Sequence, residues 1–161
     1  MASSIIAAVN YPAFCKATLQ DVIPIHELEQ RCYASEDVFS PRRLRTLLKS
    51  NTCIALVVHG PDNRVTANVL GLVRHYSRNP SGRIYKISVD PSMRGLGLAT
   101  HLLGIMEDSF RAAGMKRSCA EVRCSNKASR TLFEKSGYHV ETSLPTYYPD
   151  GEDGIKYWKT L

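Results

Sequence analysis

No apolar run in this chain approaches the ~20 residues that a membrane-spanning helix needs, so neither a membrane protein nor a membrane partner is expected. The opening MASSIIAAVNYPAF has a short apolar patch but no basic leader, and it reads as a loose arm or added edge strand over residues 1–15, not a signal peptide. Five cysteines (Cys15, Cys32, Cys53, Cys119, Cys124) include no CxxC pair and no histidine at zinc-finger spacing. Reduced thiols in a cytoplasmic protein with no metal are therefore expected. Lysine and arginine never run beyond two in a row, and no aromatic-basic ladder is present. The net charge of +6 fits a solvated surface, an anionic small molecule or an acidic partner. Alone it does not make a nucleic-acid partner the expectation. No repeat or low-complexity linker divides the 161 residues, so one domain is expected.

What is present is an alternation of helix and strand patterns. Leu19, Val22, Ile25, Leu28 and Cys32 recur at helical spacing and predict a helix over about Val22 to Tyr33, capped by Asp21. Ser40 before Pro41 starts a second helix with Leu44, Leu47 and Leu48 as its stripe. Strands are expected at Cys53 to His59, Val65 to Tyr76 with a bulge at Gly71, Arg83 to Val89 and Ser118 to Arg123. Two more follow at Tyr138 to Thr142 and Ile155 to Lys159. Ala99, Leu102, Leu103, Met106, Phe110 and Ala113 line one face of a long helix that Gly114 ends, and a shorter helix spans Lys127 to Ser136. The pattern predicts an α/β (α+β) protein, a mixed sheet with helices on both faces.

One stretch carries chemistry. ISVDPSMRGLGLATHLL passes from an extended run through Arg94, Gly95 and Gly97 into an amphipathic helix. Helix N-termini expose unpaired N–H groups and a partial positive charge, glycines admit a phosphate to the backbone, and arginine adds a fixed cation. The stretch is neither a Walker loop, because no lysine follows Gly97, nor a dinucleotide fingerprint, because position 100 is Thr.

Three segments together, ISVDPSMRGLGLATHLL, EVRCSNKASRTLFEKSGY and YYPDGEDGIKYW, resemble the GNAT N-acetyltransferase superfamily and its RimI-like branch, over roughly residues 16 to 161. The resemblance implies the GNAT fold, in which acetyl-CoA lies between two parallel strands that splay apart. It implies that the backbone of Ile87, Ser88 and Val89 holds the pantetheine and that Arg94, Gly95, Leu96, Gly97, Leu98, Ala99 and Thr100 wrap the pyrophosphate. Asn126 matches an asparagine that contacts the cofactor arm, and it also stands where a helix N-cap belongs. Glu121 matches a glutamate proposed as general base; a surface salt bridge, with Arg123 as a partner, is its structural alternative. Tyr147 and Tyr148 match a pair lining the peptide groove, or are a half-buried aromatic pair. The family's leaving-group tyrosine is replaced by Phe133 in LFEKSGY, which removes its hydroxyl from the cofactor channel.

The attacking amine must be neutral. At pH 7 an α-amine is roughly one-seventh neutral and a lysine roughly one part in 2,500, a gap of about 3.5 kcal/mol. An N-acetyltransferase acting on a protein or peptide N-terminus is therefore the first expectation. A small-molecule amine or lysine acceptor, or a non-catalytic acyl-CoA-binding module motivated by Phe133, is the alternative.

Overall fold

The computed structural model describes residues 10–75 and 78–161. Residues 1–9 of the expected arm, and Tyr76 at the end of the expected second strand, lie outside the described residues.

In chain order the elements are β1 (Phe14–Lys16), α1 (Val22–Cys32), α2 (Pro41–Lys49), β2 (Cys53–His59), β3 (Val65–Arg74), β4 (Ser81–Val89), α3 (Leu98–Ala112), β5 (Arg117–Arg123), α4 (Lys127–Lys135), β6 (His139–Leu144) and β7 (Gly154–Thr160). The strands form one sheet in the order β1-β2-β3-β4-β5-β7-β6. Among the described residues only β4 and β5 pair in parallel, and α3 makes the crossover that a parallel pair requires. Three-residue β1 pairs with β2 through Cys15 opposite Val57.

Helices cover both faces. Leu98, Leu102, Leu103, Met106 and Phe110 of α3, with Phe133 of α4, pack on Val58, Ala67, Val69, Ile84, Ala120 and Val122. On the other face Val22, Ile25 and Leu28 of α1 and Leu44 of α2 pack on Ala55, Val57, Val65 and Leu70. Ser40 caps α2 as its sequence predicts, accepting a hydrogen bond from the Arg43 N–H at 3.2 Å. Asp21 does not cap α1. Its carboxylate turns back to the Thr18 N–H at 2.7 Å, because Thr18 and Asp21 form a reciprocal box around the short 3-10 turn that precedes the helix.

The expected bulge at Gly71 is displaced to the neighbouring strand. Leu70 pairs with Lys86 and Gly71 with Ile84, so the unpaired extra residue is Tyr85 of β4. Gly71 answers a different demand: a Cβ there would stand 2.7 Å from Met106 Sδ and Phe110 Cζ. Gly82 on β4 meets the same obstacle, since its Cβ would overlap the Phe110 ring. The two glycines form the floor on which fully buried Phe110 rests.

Gly82→Ala is expected to lower stability in urea denaturation by about 1–3 kcal/mol through overpacking. Gly104→Ala, in the interior of α3 with nothing within 4 Å of its new methyl group, is expected to raise stability by about 0.5–1 kcal/mol.

Candidate active site

β4 and β5 pair only from Ser81–Arg117 to Ile84–Ala120. Beyond that rung β4 runs on to Val89 and β5 to Arg123 with no strand between them among the described residues. The bulge residue Tyr85 and Glu121 are the first residues past the last shared rung. The bulge also breaks the alternation of β4. Ile84 and Ile87 both face α3, three residues apart, while Tyr85 packs toward α1 and α2 and Lys86 reaches Glu29 of α1.

At the mouth of this fork, Ile87 and Val89 turn their carbonyls toward side-chain donors instead of β3. The Tyr33 hydroxyl donates to Ile87 O, the Cys32 thiol to Val89 O at 3.3 Å and Arg94 Nε to Val89 O at 3.1 Å. A residue in an antiparallel ladder points its N–H and C=O to the same side. The N–H groups of Ile87 and Val89 therefore face the fork, where carbonyls of an extended ligand arm could take them. The Ser88 side chain is buried and donates to Tyr33 Oη at 3.2 Å. Burial pushes the Tyr33 phenol up to about 12, so it stays a neutral donor.

Past Val89, Asp90 caps a 3-10 turn over Pro91–Met93 by accepting from the Ser92 N–H at 3.0 Å. It also accepts from the Ser92 hydroxyl at 2.7 Å, Arg31 Nε at 2.8 Å and Arg64 at 3.0 Å. Burial alone would raise the Asp90 pKa, but these donors outweigh it and hold the carboxyl far below the usual carboxylate range. Asp90 thus fixes where β4 hands over to the glycine turn. Gly95 and Gly97 both adopt left-handed φ, 78° and 77°, and Gly97 is the N-cap of α3 with no side-chain cap. A Cβ on Gly95 would meet open space, whereas one on Gly97 would stand 2.8 Å from the hydroxyl oxygen of Tyr11. Tyr11 stacks on His101 of α3 with ring centroids 4.2 Å apart. Leu98 of the turn is buried, Leu96 is exposed, and Ala99 and Thr100 continue into the first turn of α3. The uncapped N-terminus and the glycine opening suit a pyrophosphate, and the fork-facing N–H groups suit a pantetheine, so these residues fit acetyl-CoA.

Glu121 projects on the α1/α2 side of the fork and accepts from Arg83 Nε at 2.7 Å. Its partner is Arg83, not Arg123, because the parallel pairing sets β4 and β5 side by side just below Glu121. Arg123 is engaged elsewhere. It donates to Asp37 at 2.8 Å, Asp150 at 2.8 Å and Glu152 at 3.0 Å, and its guanidinium lies 4.0 Å from the Tyr148 ring centroid. The bonds to Asp37, Glu152 and Asp150 outweigh burial and raise its pKa further. Arg123 so ties the segment between α1 and α2 to the loop between β6 and β7. Tyr148 lies within electrostatic reach of Glu121, and burial pushes its phenol up to about 12. Tyr147 packs edge-on against Tyr148 at 5.1 Å and is 44% exposed.

Asn126 Oδ1 accepts from the Ser129 N–H at 3.0 Å and caps α4, as its position predicts. Phe133 is 5% exposed and sits edge-on to Tyr138 at 5.0 Å and stacked with Tyr157 at 6.0 Å. The structure thus gathers Glu121, Tyr147 and Tyr148 on one side of the sheet and the glycine turn, Asn126 and Phe133 on the α3/α4 side. Sequence reasoning passed over Arg83, Tyr33 and Tyr85. For Tyr85 a signal existed, since the three-residue step from Ile84 to Ile87 breaks strand alternation. The others have none, because their partners are 38 to 55 residues away.

A mixed sheet forked beside a glycine-opened helix defines an acyl-CoA-type transferase fold. The acetyltransferase (GNAT) family model matches residues 22–138, and the chain belongs to that family. Over 95 residues it is 37% identical to an uncharacterized N-acetyltransferase of Methanocaldococcus jannaschii, covering 58% of each chain. Over 106 residues it is 31% identical to the N-terminal acetyltransferase B complex catalytic subunit of Arabidopsis thaliana, covering 65% of this chain and 61% of the relative. The chain spans about three-fifths of the length of these curated relatives. The crystal structure of the ribosomal-protein-S18-alanine N-acetyltransferase from Escherichia coli shares the fold, with a TM-score of 0.80 at 24% identity over 92% of this chain and 93% of that one. Among the described residues no helix is long and apolar enough to cross a membrane.

Asp90 yields a pH prediction. Its folded pKa is depressed, so its stabilising contribution is complete above the ordinary carboxylate range and is lost as pH falls below about 4. Wild-type melting temperature is expected to drop through that window, and Asp90→Asn to start lower and decline less steeply. Parallel melting curves for the two proteins from pH 6 downward would contradict this assignment.

Proposed function

We propose that this chain is an acetyl-CoA-dependent N-acetyltransferase whose preferred acceptor is the α-amine of a protein or peptide N-terminus. The observation that carries the reading is the fork itself. It joins a phosphate-suited helix N-terminus on one side to a glutamate flanked by aromatic rings on the other. Acetyl-CoA, when bound, supplies an activated thioester carbonyl. The N–H groups of Ile87 and Val89 hold the pantetheine, residues 94–100 hold the pyrophosphate, and Asn126 and Phe133 border the cofactor arm. Arg94 now rests on Val89 O, and its exposed guanidinium swings out to meet a phosphate.

On the acceptor side Glu121 takes the proton that the attacking amine sheds, directly or through a water. Its ion pair with Arg83 holds the carboxylate in place beside the fork. An α-amine, about one-seventh neutral at pH 7, asks less of a base than a lysine, which is almost wholly protonated. Tyr147 and Tyr148 wall the approach, and Arg123 anchors the loop that carries them. The names of the Arabidopsis and Escherichia coli relatives, both acting on protein N-termini or an alanine of a ribosomal protein, agree with this acceptor class. The leaving sulfur finds no hydroxyl on Phe133, but a thiol of ordinary pKa, about 8.5, departs without an acid.

Acetyl-CoA is expected to raise the melting temperature of the wild type, and Gly97→Glu to abolish that shift by filling the cradle with a carboxylate. In thiol-release assays, a peptide with a free α-amine is expected to outpace an N-blocked lysine peptide by at least about a hundredfold, following the neutral fractions. Glu121→Gln is expected to slow turnover by about 10²–10⁴ while leaving the acetyl-CoA shift intact. Binding without transfer to any amine in a broad panel would make the chain an acyl-CoA-binding module.

A further inference from the structure

At the β1 edge of the sheet, three side chains align. Cys15 on β1 and His59 on β2 stand on the same face, two residues apart in register. Cys15 Sγ lies 3.6 Å from His59 Nδ1. The far nitrogen of the ring, His59 Nε2, lies 2.7 Å from Asp21 Oδ1. The Asp21 side chain is 9% exposed and is fixed by the Thr18 N–H at 2.7 Å, so its carboxylate is an anchored acceptor.

This arrangement determines the tautomer. A carboxylate only accepts, so Nε2 must carry the proton of the neutral ring. Nδ1 is then bare and faces the Cys15 thiol as its acceptor. A nucleophile, a base and a group that orients the base follow one another within hydrogen-bonding reach. The thiol is exposed, and the trio opens into a cavity of about 390 Å³ lined also by Lys16, Thr18, Gln20, Pro24 and Asn63. The other four cysteines are partly buried, and burial pushes the thiols of Cys32, Cys53 and Cys119 up. None of the three groups contributes to the fork, from which β3 separates them.

We propose that Cys15, His59 and Asp21 form a thiol-activating triad that makes Cys15 a site of mixed-disulfide formation with low-molecular-mass disulfides. The Cys15 proton passes to His59 Nδ1, and Asp21 stabilises the imidazolium. The thiolate attacks one sulfur of the small disulfide. A bond forms between Cys15 Sγ and that sulfur while the original S–S bond breaks. The released thiolate takes the proton from His59. Cys15 is oxidised by the same two electrons that reduce the incoming disulfide, so the exchange balances with no further reagent. The polar lining with Lys16 suits a disulfide that bears amide and carboxylate groups.

The test uses the full-length chain at pH 7, with iodoacetamide and glutathione disulfide as probes and peptide mass spectrometry as the readout. Cys15 is expected to be alkylated first and to be the cysteine that carries the glutathionyl adduct. His59→Ala leaves Cys15 exposed but removes the base, and it is expected to slow both reactions about tenfold, with added imidazole restoring part of the loss. A change under twofold in that variant would overturn the triad. A second measurement needs no variant: an activated thiol reacts faster in the native chain than in urea. Native Cys15 reacting more slowly than unfolded Cys15 would likewise overturn the proposal.

Discussion

The early end of the parallel pairing between β4 and β5 is the constraint on which the rest of the site depends. Two adjacent parallel strands would ordinarily satisfy each other along their whole length. Here they share backbone bonds only as far as Ile84 and Ala120, and the extra residue at Tyr85 turns β4 away. Buried backbone groups need partners. Past the fork, the carbonyls of Ile87 and Val89 are met by Tyr33, Cys32 and Arg94, and their N–H groups face the same edge. One defect in one ladder thus parts the two strands between the α3/α4 face and the α1/α2 face.

Charges hold the walls of that passage in place. Glu29 is fully buried, accepts from Lys86 Nζ at 2.8 Å and from the Phe39 N–H at 2.6 Å, and so seats the segment after α1 on β4. Burial lowers the Lys86 pKa, and Glu29 opposes that shift. Pairs of this kind contribute little net stability, because desolvating two ions offsets their attraction. Their effect is positional: losing either partner strands the other in the core. Arg123 works in the same way for the loop carrying Tyr147 and Tyr148, and Asp90 for the glycine turn. The Glu121 side of the fork is thus specified by ion pairs, the helix mouth by backbone and glycine.

The edge strand β1 carries a separate constellation. Its three residues contribute little to the core, yet by pairing with β2 they bring an exposed thiol beside a histidine that Asp21 orients. The same carboxylate also closes the Thr18 turn, so one buried acid serves the entry to α1 and the tautomer of His59.

Much of this architecture is legible in the sequence because it rests on local chemistry. Ser40–Pro41 starts α2, Gly114 and Gly137 end α3 and α4 in left-handed φ, Asn126 caps α4, and Gly95 and Gly97 mark the helix mouth. Helical and strand periodicity places helices on both faces of a mixed sheet, as found. Asp21 was misassigned because two helical turns, a 3-10 and an α, adjoin there and compete for the same carboxylate. The bulge was assigned to Gly71 because a strand glycine fits both a bulge and a close approach, and only the Phe110 ring tells them apart. The EVRCSN setting marks Glu121 as a candidate, but nothing in it marks the partner. Whether Arg83 or Arg123 meets it depends on the register of two strands joined by a 15-residue helix, and sequence spacing carries no record of register. Residue order therefore determined the elements, their caps and the glycine turn, since each depends on neighbours within a turn or two. Tertiary structure alone decided where the strands part, which charges meet across the fork and that Cys15 faces His59, because those contacts join residues whose separation along the chain says nothing about their separation in space.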